Sequence, residues 1–254
     1  MSEFCEAKSQ RFAPPSVEGK TRLAGIVCCA EASSAQPCLR SGAAYDSCGQ
    51  GQSIFRERFP WRQTSVGGGD RAVARALIVV DMTYDFLADD GALTCGLPGQ
   101  QAVQPVLDLL REFVQTGELI VFACDAHTVD DPEFALWPPH CVIGTKGAML
   151  YGQLADFYDR HQSDRVRYLP KTKYDAFFDT PLADWLTADQ VTEVTVVGVC
   201  TSICCYATAL GAYCRGFSVT ADPAAMADLT PEAHDFAVNH MQNVLKAEII
   251  NRIS

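Results

Sequence analysis

Cys204 is the first residue whose position favours chemistry. It lies where a β-branched run at 194–199 gives way to a helix-compatible run at 206–212. A thiol in the first turn of a helix meets the positive end of the helix dipole, which lowers the thiol pKa and favours the thiolate. The sequence therefore predicts a candidate nucleophile, although a free cysteine is more often simply a small buried residue.

Asp81 and Lys171 have the side chains that a cysteine nucleophile needs beside it, a carboxylate and an ammonium. Asp81 ends the apolar run at 76–80, and Lys171 follows a shorter predicted strand at 165–169. A nucleophilic thiol needs a base to take its proton and a cation to hold the charge that develops. Lys173 is the alternative for the lysine role. Taken singly, each of these residues is typical of a solvated strand end.

A second group of residues has the composition of a metal site, and its members are Asp125, His127, Glu133 and His140. In an extended segment, Asp-x-His places both side chains on the same side of the backbone. Two imidazoles and two carboxylates suit one divalent ion, with Zn²⁺ preferred and Mn²⁺ or Fe²⁺ as alternatives. Asp130 and Asp131 are alternatives to Glu133, and ordinary loop histidines are the competing interpretation.

These residues must be positioned by predicted strands that alternate with helices. The strands are expected at 76–81, 119–124, 165–169, 193–199, 217–220 and 248–250, and the helices at 101–116, 181–188, 202–214 and 231–246. Near-continuous apolar strands alternating with helices are typical of an α/β fold with a mostly parallel sheet, here of roughly six strands, covered on both faces. Ligands bind beyond the carboxyl ends of such strands, so Asp81, Asp125, Lys171 and Cys204 are expected on one rim.

The amino-acid composition argues against some classes of binding partner. The net charge of −11 argues against nucleic acid and anionic membranes, which attract basic surfaces. No apolar run approaches the length of a membrane span, about 18 residues, and the apolar stretch at 23–30 lacks the features of a secretion signal. The 12 cysteines include adjacent pairs and positions inside predicted strands, which favours reduced thiols in a cytoplasmic protein.

Residues 1–72 differ from the rest of the chain. They lack apolar periodicity and end in a run of three glycines. We interpret 1–72 as a poorly ordered N-terminal extension, or a segment absent from the native protein, and 73–254 as the folded domain.

Five segments, taken in order, resemble the isochorismatase-like cysteine hydrolases and, within them, the nicotinamidase branch. They lie at 80–86, 125–127, 137–145, 171–177 and 198–204. The agreement of five separate segments makes the resemblance specific, and it runs from about residue 76 to the end of the chain. It implies a three-layer α/β/α fold of Rossmann-like topology, and hydrolysis of nicotinamide to nicotinate and ammonia in the salvage of NAD.

The resemblance also implies roles for individual residues. Asp81, Lys171 and Cys204 match the catalytic triad, and Asp125, His127, Glu133 and His140 match ligands of one metal ion that binds the pyridine nitrogen. The backbone N–H groups of Cys200 and Cys204 match an oxyanion hole behind a cis bond between Val199 and Cys200. Phe86, Trp137 and Tyr174 match the aromatic lining of a pocket for a small-molecule substrate.

Two departures from the family pattern bear on the site. Ser202 replaces a common aspartate beside the nucleophile, and we expect serine to cap the helix in its place. Asp175 follows Tyr174 where a small residue is common, which could alter the pocket rim.

Three functions therefore compete. The first is a nicotinamidase, and the second is another amide or carbamoyl hydrolase of the same superfamily. The third is a non-catalytic metal or thiol redox sensor that uses Cys200, Cys204 and Cys205. The sequence leaves open a homo-oligomer and the acceptance of pyrazinamide-like analogues.

Overall fold

A computed structural model describes residues 74–250 of the chain. The predictions made for residues 1–72 lie outside the described residues. Within 74–250, no helix combines the length and the apolar character that a membrane span requires.

Six parallel strands form one sheet in the order β3-β2-β1-β4-β5-β6. Their bounds are Arg75–Val80 (β1), Leu119–Asp125 (β2), Val166–Lys171 (β3), Glu193–Val199 (β4), Ser218–Ala227 (β5) and Glu248–Ile249 (β6). All residues of β2, and all but the first of β1 and β4, are buried. Strands covered on both faces are continuous apolar runs, which is why the sequence predicted them well.

The helices are Tyr84–Leu87 (α1), Gly96–Thr116 (α2), Gln153–His161 (α3), Leu182–Ala188 (α4), Tyr206–Cys214 (α5) and Pro231–Val244 (α6). A π-helical segment, Thr201–Cys205, joins β4 to α5. From β1 the chain proceeds to β2 and β3 at one edge of the sheet. It then returns to β4, beside β1, and proceeds to β5 and β6 at the other edge. Right-handed crossovers then place α2 and α3 on one face of the sheet and α5 and α6 on the other. This architecture confirms the predicted α/β fold.

Four elements differ from the sequence prediction, and one of them is α1, where no helix was predicted. Helix α2 begins at Gly96, five residues before the predicted start, because Pro98 lies in its first turn, where a missing N–H costs nothing. Strand β5 continues to Ala227, since an irregularity in its pairing with β4 lets it pass Pro223. Helix α3 lies in a stretch predicted as loop, and only Leu154 and Phe157 of its residues are buried.

The order of the strands locates the ligand-binding rim. β1 lies between β2 and β4, so the direction of winding reverses there, and such a reversal opens a crevice at the carboxyl ends of the strands. β1 and β4 approach closely at Gly198, where an added Cβ would lie 2.0 Å from the Val80 carbonyl oxygen. A glycine is required at this point, and its φ of +115° also favours one.

Candidate active site

The carboxyl ends of three strands bring Asp81, Lys171 and Cys204 together. Asp81 follows β1, Lys171 ends β3, and Cys204 lies in the π-helical segment after β4. The Lys171 Nζ donates to Asp81 Oδ2 at 2.7 Å, and the Cys204 Sγ lies within 4.8 Å of an Asp81 carboxylate oxygen. The other Asp81 oxygen accepts the backbone N–H of Asp125 at 2.8 Å. A carboxylate held in this way can receive a proton from the thiol.

Burial sets the protonation of this group. It raises the pKa of Asp81 to about 6, helped by the charge of Asp125 and opposed by Lys171. It also raises the pKa of Cys204 well above its usual value, although Lys171 opposes the shift. The expected lowering of the Cys204 pKa is therefore wrong, because desolvation and the nearby Asp81 and Asp125 carboxylates outweigh the Lys171 ammonium. The resting pair is a thiol beside a carboxylate, and the proton moves during reaction.

Asp125 connects this group to the candidate metal ligands. Its Oδ1 accepts from Lys171 Nζ at 2.5 Å, while its Oδ2 faces both His127 and His140. Burial raises the pKa of Asp125, but the Lys171 ammonium and the two imidazoles outweigh it and hold the pKa well below its usual range. One buried lysine is thus shared by two carboxylates, and both carboxylates face the same rim.

The donor atoms of Asp125, His127 and His140 all lie within 4.8 Å of one another. The Nε2 atoms of both histidines are 3.6 Å from Asp125 Oδ2, which is beyond hydrogen-bond distance. Their Nδ1 atoms have outer partners, which are Asp131 Oδ2 at 2.9 Å for His127 and the Pro138 carbonyl at 2.8 Å for His140. Such outer partners fix the imidazole ring and leave Nε2 for an ion.

Two observations show that these residues fit a divalent ion. His127 Nε2 is buried without a hydrogen-bond partner, and ligands about 2.1 Å from a tetrahedral ion would be separated by about 3.4 Å. The pKa of His127 is also raised to about 9, because Asp125 and Asp131 outweigh the opposing effect of burial. A site that attracts a proton this strongly attracts a cation as well.

Glu133 lies next to this cluster rather than within it. Its carboxylate groups with His127 and Asp131, and its Oε2 accepts from Lys173 Nζ at 2.9 Å. The structure thus separates the two candidate lysines, because Lys171 is buried with Asp81 while Lys173 is half exposed beside Glu133.

A cleft opens between the Cys204 thiol and the candidate metal ligands Asp125 and His140. It is lined by Phe86, Leu93, Asp125, Glu133, Trp137, His140, Tyr174, Cys200, Ile203, Cys204 and Leu229. The Phe86 ring meets the His140 ring edge to face at 5.6 Å, and Trp137 Nε1 donates to the Tyr174 hydroxyl at 2.9 Å. An apolar cleft with few polar groups at one end suits a flat aromatic ring that carries one polar substituent.

The turn before Cys204 is held by a residue that the sequence analysis missed. The bond between Val199 and Cys200 is cis, as the resemblance implied. Asp228, at the end of β5, accepts the backbone N–H of Ser202 at 2.6 Å. The expected cap from the Ser202 hydroxyl is therefore replaced by a carboxylate from another strand. A longer β5 in the sequence prediction would have placed Asp228 at a strand end, which is the signal that located Asp81.

Three pocket residues were also missed, namely Leu93, Ile203 and Leu229. Leu93 and Leu229 lie outside the five matched segments, and Ile203 lies within the segment at 198–204 but carries no polar group, so only the fold identifies them as pocket residues. Asp85, in α1, accepts the backbone N–H of Cys141 at 2.8 Å and so organises a loop.

Comparison with known proteins gives consistent matches over the part of the chain that forms this fold. Residues 75–252 match the isochorismatase domain model. The isochorismatase family protein PncA of Bacillus subtilis is 40% identical over 179 residues, which are 69% of this chain and 98% of that protein. A crystal structure of nicotinamidase/pyrazinamidase PncA from Bacillus subtilis has a TM-score of 0.69 and covers 70% of this chain and 100% of its own. The pyrazinamidase of Pyrococcus horikoshii in complex with zinc is 31% identical, with a TM-score of 0.63, over 70% of this chain and 99% of its own.

Proposed function

The chain belongs to the isochorismatase family, and we propose that it is a nicotinamidase, which hydrolyses nicotinamide to nicotinate and ammonia. One observation carries the proposal. A thiol with its own base and cation lines one aromatic cleft together with Asp125 and His140, and these two form with His127 a group that fits a metal ion. The first group suits attack on a carboxamide, and the second suits a ring nitrogen at the far end of the same small molecule.

In the first half of the proposed reaction, Asp81 takes the proton of Cys204, and the sulfur attacks the carboxamide carbon. Lys171 holds the Asp81 carboxylate in place through the 2.7 Å hydrogen bond. The backbone N–H groups of Cys200 and Cys204 would hold the developing oxyanion. Protonated Asp81 then gives its proton to departing ammonia, and a thioester remains on Cys204.

In the second half, Asp81 acts as a base again and takes a proton from the water that attacks the thioester. Its pKa of about 6 suits both directions of transfer near neutral pH. Nicotinate leaves, and the Cys204 thiol is restored. The reaction thus uses one carboxylate twice, which explains why its position is fixed by both Lys171 and the Asp125 backbone.

Asp125, His127 and His140 would hold the divalent ion, with Glu133 as the fourth ligand from the cleft wall. When bound, the ion would supply a Lewis-acid contact to the pyridine nitrogen, and zinc is the first candidate. Phe86, Trp137 and Tyr174 would pack against the ring and orient its carboxamide towards Cys204. We place the reaction in the salvage of NAD in the cytoplasm.

The test is ammonia release from a panel of amides, in parallel with metal analysis of the same preparation. Benzamide is the matched control for nicotinamide, because the two differ only at the ring nitrogen. We expect nicotinamide to be turned over much faster, and we expect a chelator to remove most of this preference. Faster turnover of an acyclic amide or an N-carbamoyl compound would instead identify another hydrolase of the family. No ammonia from any member of the panel would favour the redox sensor.

A further inference from the structure

Two cysteines outside the proposed catalytic group face each other beside the cleft. Cys95 directly precedes α2, and Cys200 follows the cis bond at the end of β4. Their Sγ atoms are 3.3 Å apart, although the residues are separated by 105 positions in the sequence. Each residue is 6% exposed, so both are nearly enclosed. The proposed hydrolysis uses neither sulfur.

The Cys95–Cys200 pair connects two walls of the cleft. The Cys95 N–H donates to the Phe86 carbonyl at 2.8 Å, which links Cys95 to the aromatic wall. The Cys200 carbonyl accepts the N–H groups of Ile203 and Cys205, each at 3.2 Å, which links Cys200 to the turn that holds Cys204. Cys200 itself lines the cleft, so a small oxidant that enters the cleft can reach this residue.

We propose that Cys95 and Cys200 form a reversible disulfide, with a hydroperoxide as the oxidant. The Cys200 sulfur first attacks hydrogen peroxide, whose O–O bond breaks to give a sulfenic acid on Cys200 and one water. The Cys95 sulfur then displaces hydroxide from the sulfenic acid, which leaves with the Cys95 proton as a second water. The two thiols lose two electrons in total, and the peroxide gains them. A dithiol reductant reverses the change by thiol–disulfide exchange.

Disulfide formation requires the two sulfurs to move together. Their separation must fall from 3.3 Å to a bond of about 2.05 Å. The Cys200–Cys204 turn and the Phe86 wall must absorb a shift of about 1 Å, and a displacement of that size at a reacting group can reduce catalysis by about 100-fold. The disulfide itself is independent of the proposed function, whereas its effect on ammonia release rests on that function.

The test treats the reduced full-length protein with hydrogen peroxide and maps its peptides without reduction. Trypsin leaves Cys95 in the peptide 76–111 and Cys200 in the peptide 174–215. We expect these peptides to be linked and two hydrogens lighter than their sum, with fragmentation assigning the bond to Cys95 and Cys200. We expect ammonia release to fall about 100-fold as the link forms, and dithiothreitol to restore both.

Two variants make the result specific. Cys95→Ser should give no linked peptide and should lose the part of the inactivation that dithiothreitol reverses, and Cys95→Ala serves in its place if the serine variant does not fold. Cys214→Ser removes an exposed thiol and should behave as the unmodified protein. The proposal is overturned if the oxidised protein contains no link between these peptides, or if the link is to Cys204 or Cys205. Because the peptide map needs no turnover, it remains decisive if nicotinamide is not the substrate.

Discussion

Replacement of Lys171 by methionine tests the electrostatic centre of the site. The Lys171 side chain has no exposed surface, and its ammonium is the shared partner of Asp81 at 2.7 Å and Asp125 at 2.5 Å. Methionine keeps most of the volume of the side chain and removes the charge. Two buried carboxylates then lose their common cation. Breaking a buried ion pair in this way costs about 3–5 kcal/mol of unfolding free energy.

The cost should depend on pH with a definite sign. Burial and Asp125 already raise the pKa of Asp81 to about 6 while Lys171 opposes them, so the loss of Lys171 raises this pKa further. The folded variant then binds more protons than its unfolded chain over this range, and its stability falls as the pH rises. We therefore expect the deficit relative to the unmodified protein to be larger at about pH 8 than at about pH 5.

Urea unfolding at both pH values measures this deficit, and ammonia release from nicotinamide measures the catalytic loss. Lys173→Met is the matched control, because its ammonium pairs with Glu133 at a site where the lysine side chain is 47% exposed. Although Glu133 is buried, the half-exposed Lys173 ammonium is solvated, so this variant should lose much less stability than Lys171→Met. The reasoning would be refuted if the two variants lost similar stability, or if Lys171→Met kept normal turnover.

Further predictions concern the nucleophile, the metal ligands and the β1–β4 contact. Cys204→Ala should lower turnover by about 10⁴-fold or more while metal content, measured by atomic absorption, stays unchanged. His140→Ala should instead lower the metal content, and the preference for nicotinamide over benzamide should be lost together with the metal. Gly198→Ala should lower the unfolding free energy by more than about 3 kcal/mol, since the new Cβ meets the Val80 backbone at 2.0 Å. Gly216→Ala, with φ of +86° but nothing within 4 Å, should cost only about 1–2 kcal/mol in urea unfolding; equal losses would contradict the steric argument.

The amino-acid sequence determined the parts of this protein that depend on local patterns. Apolar runs and helical spacing are properties of short segments, so five of the six strands and the helices α4, α5 and α6 were predicted close to their observed bounds. The rule that parallel strands share one carboxyl rim then placed Asp81, Lys171 and Cys204 together before any distance was known. The prediction missed α3, whose two buried residues make a weak pattern, and the extension of β5 beyond Pro223.

Only the tertiary structure decided which charged and sulfur-containing groups share a partner. Contacts between distant segments decide these partners. They place Lys171 between Asp81 and Asp125, bring Asp228 to the turn before Cys204, and bring Cys95 next to Cys200. The sequence predicted a lowered pKa for Cys204, whereas its pKa is raised in the folded protein, and the reason is again contacts between distant segments. A helix start is visible in the sequence, whereas the desolvation that raises the Cys204 pKa depends on how the whole fold encloses the thiol.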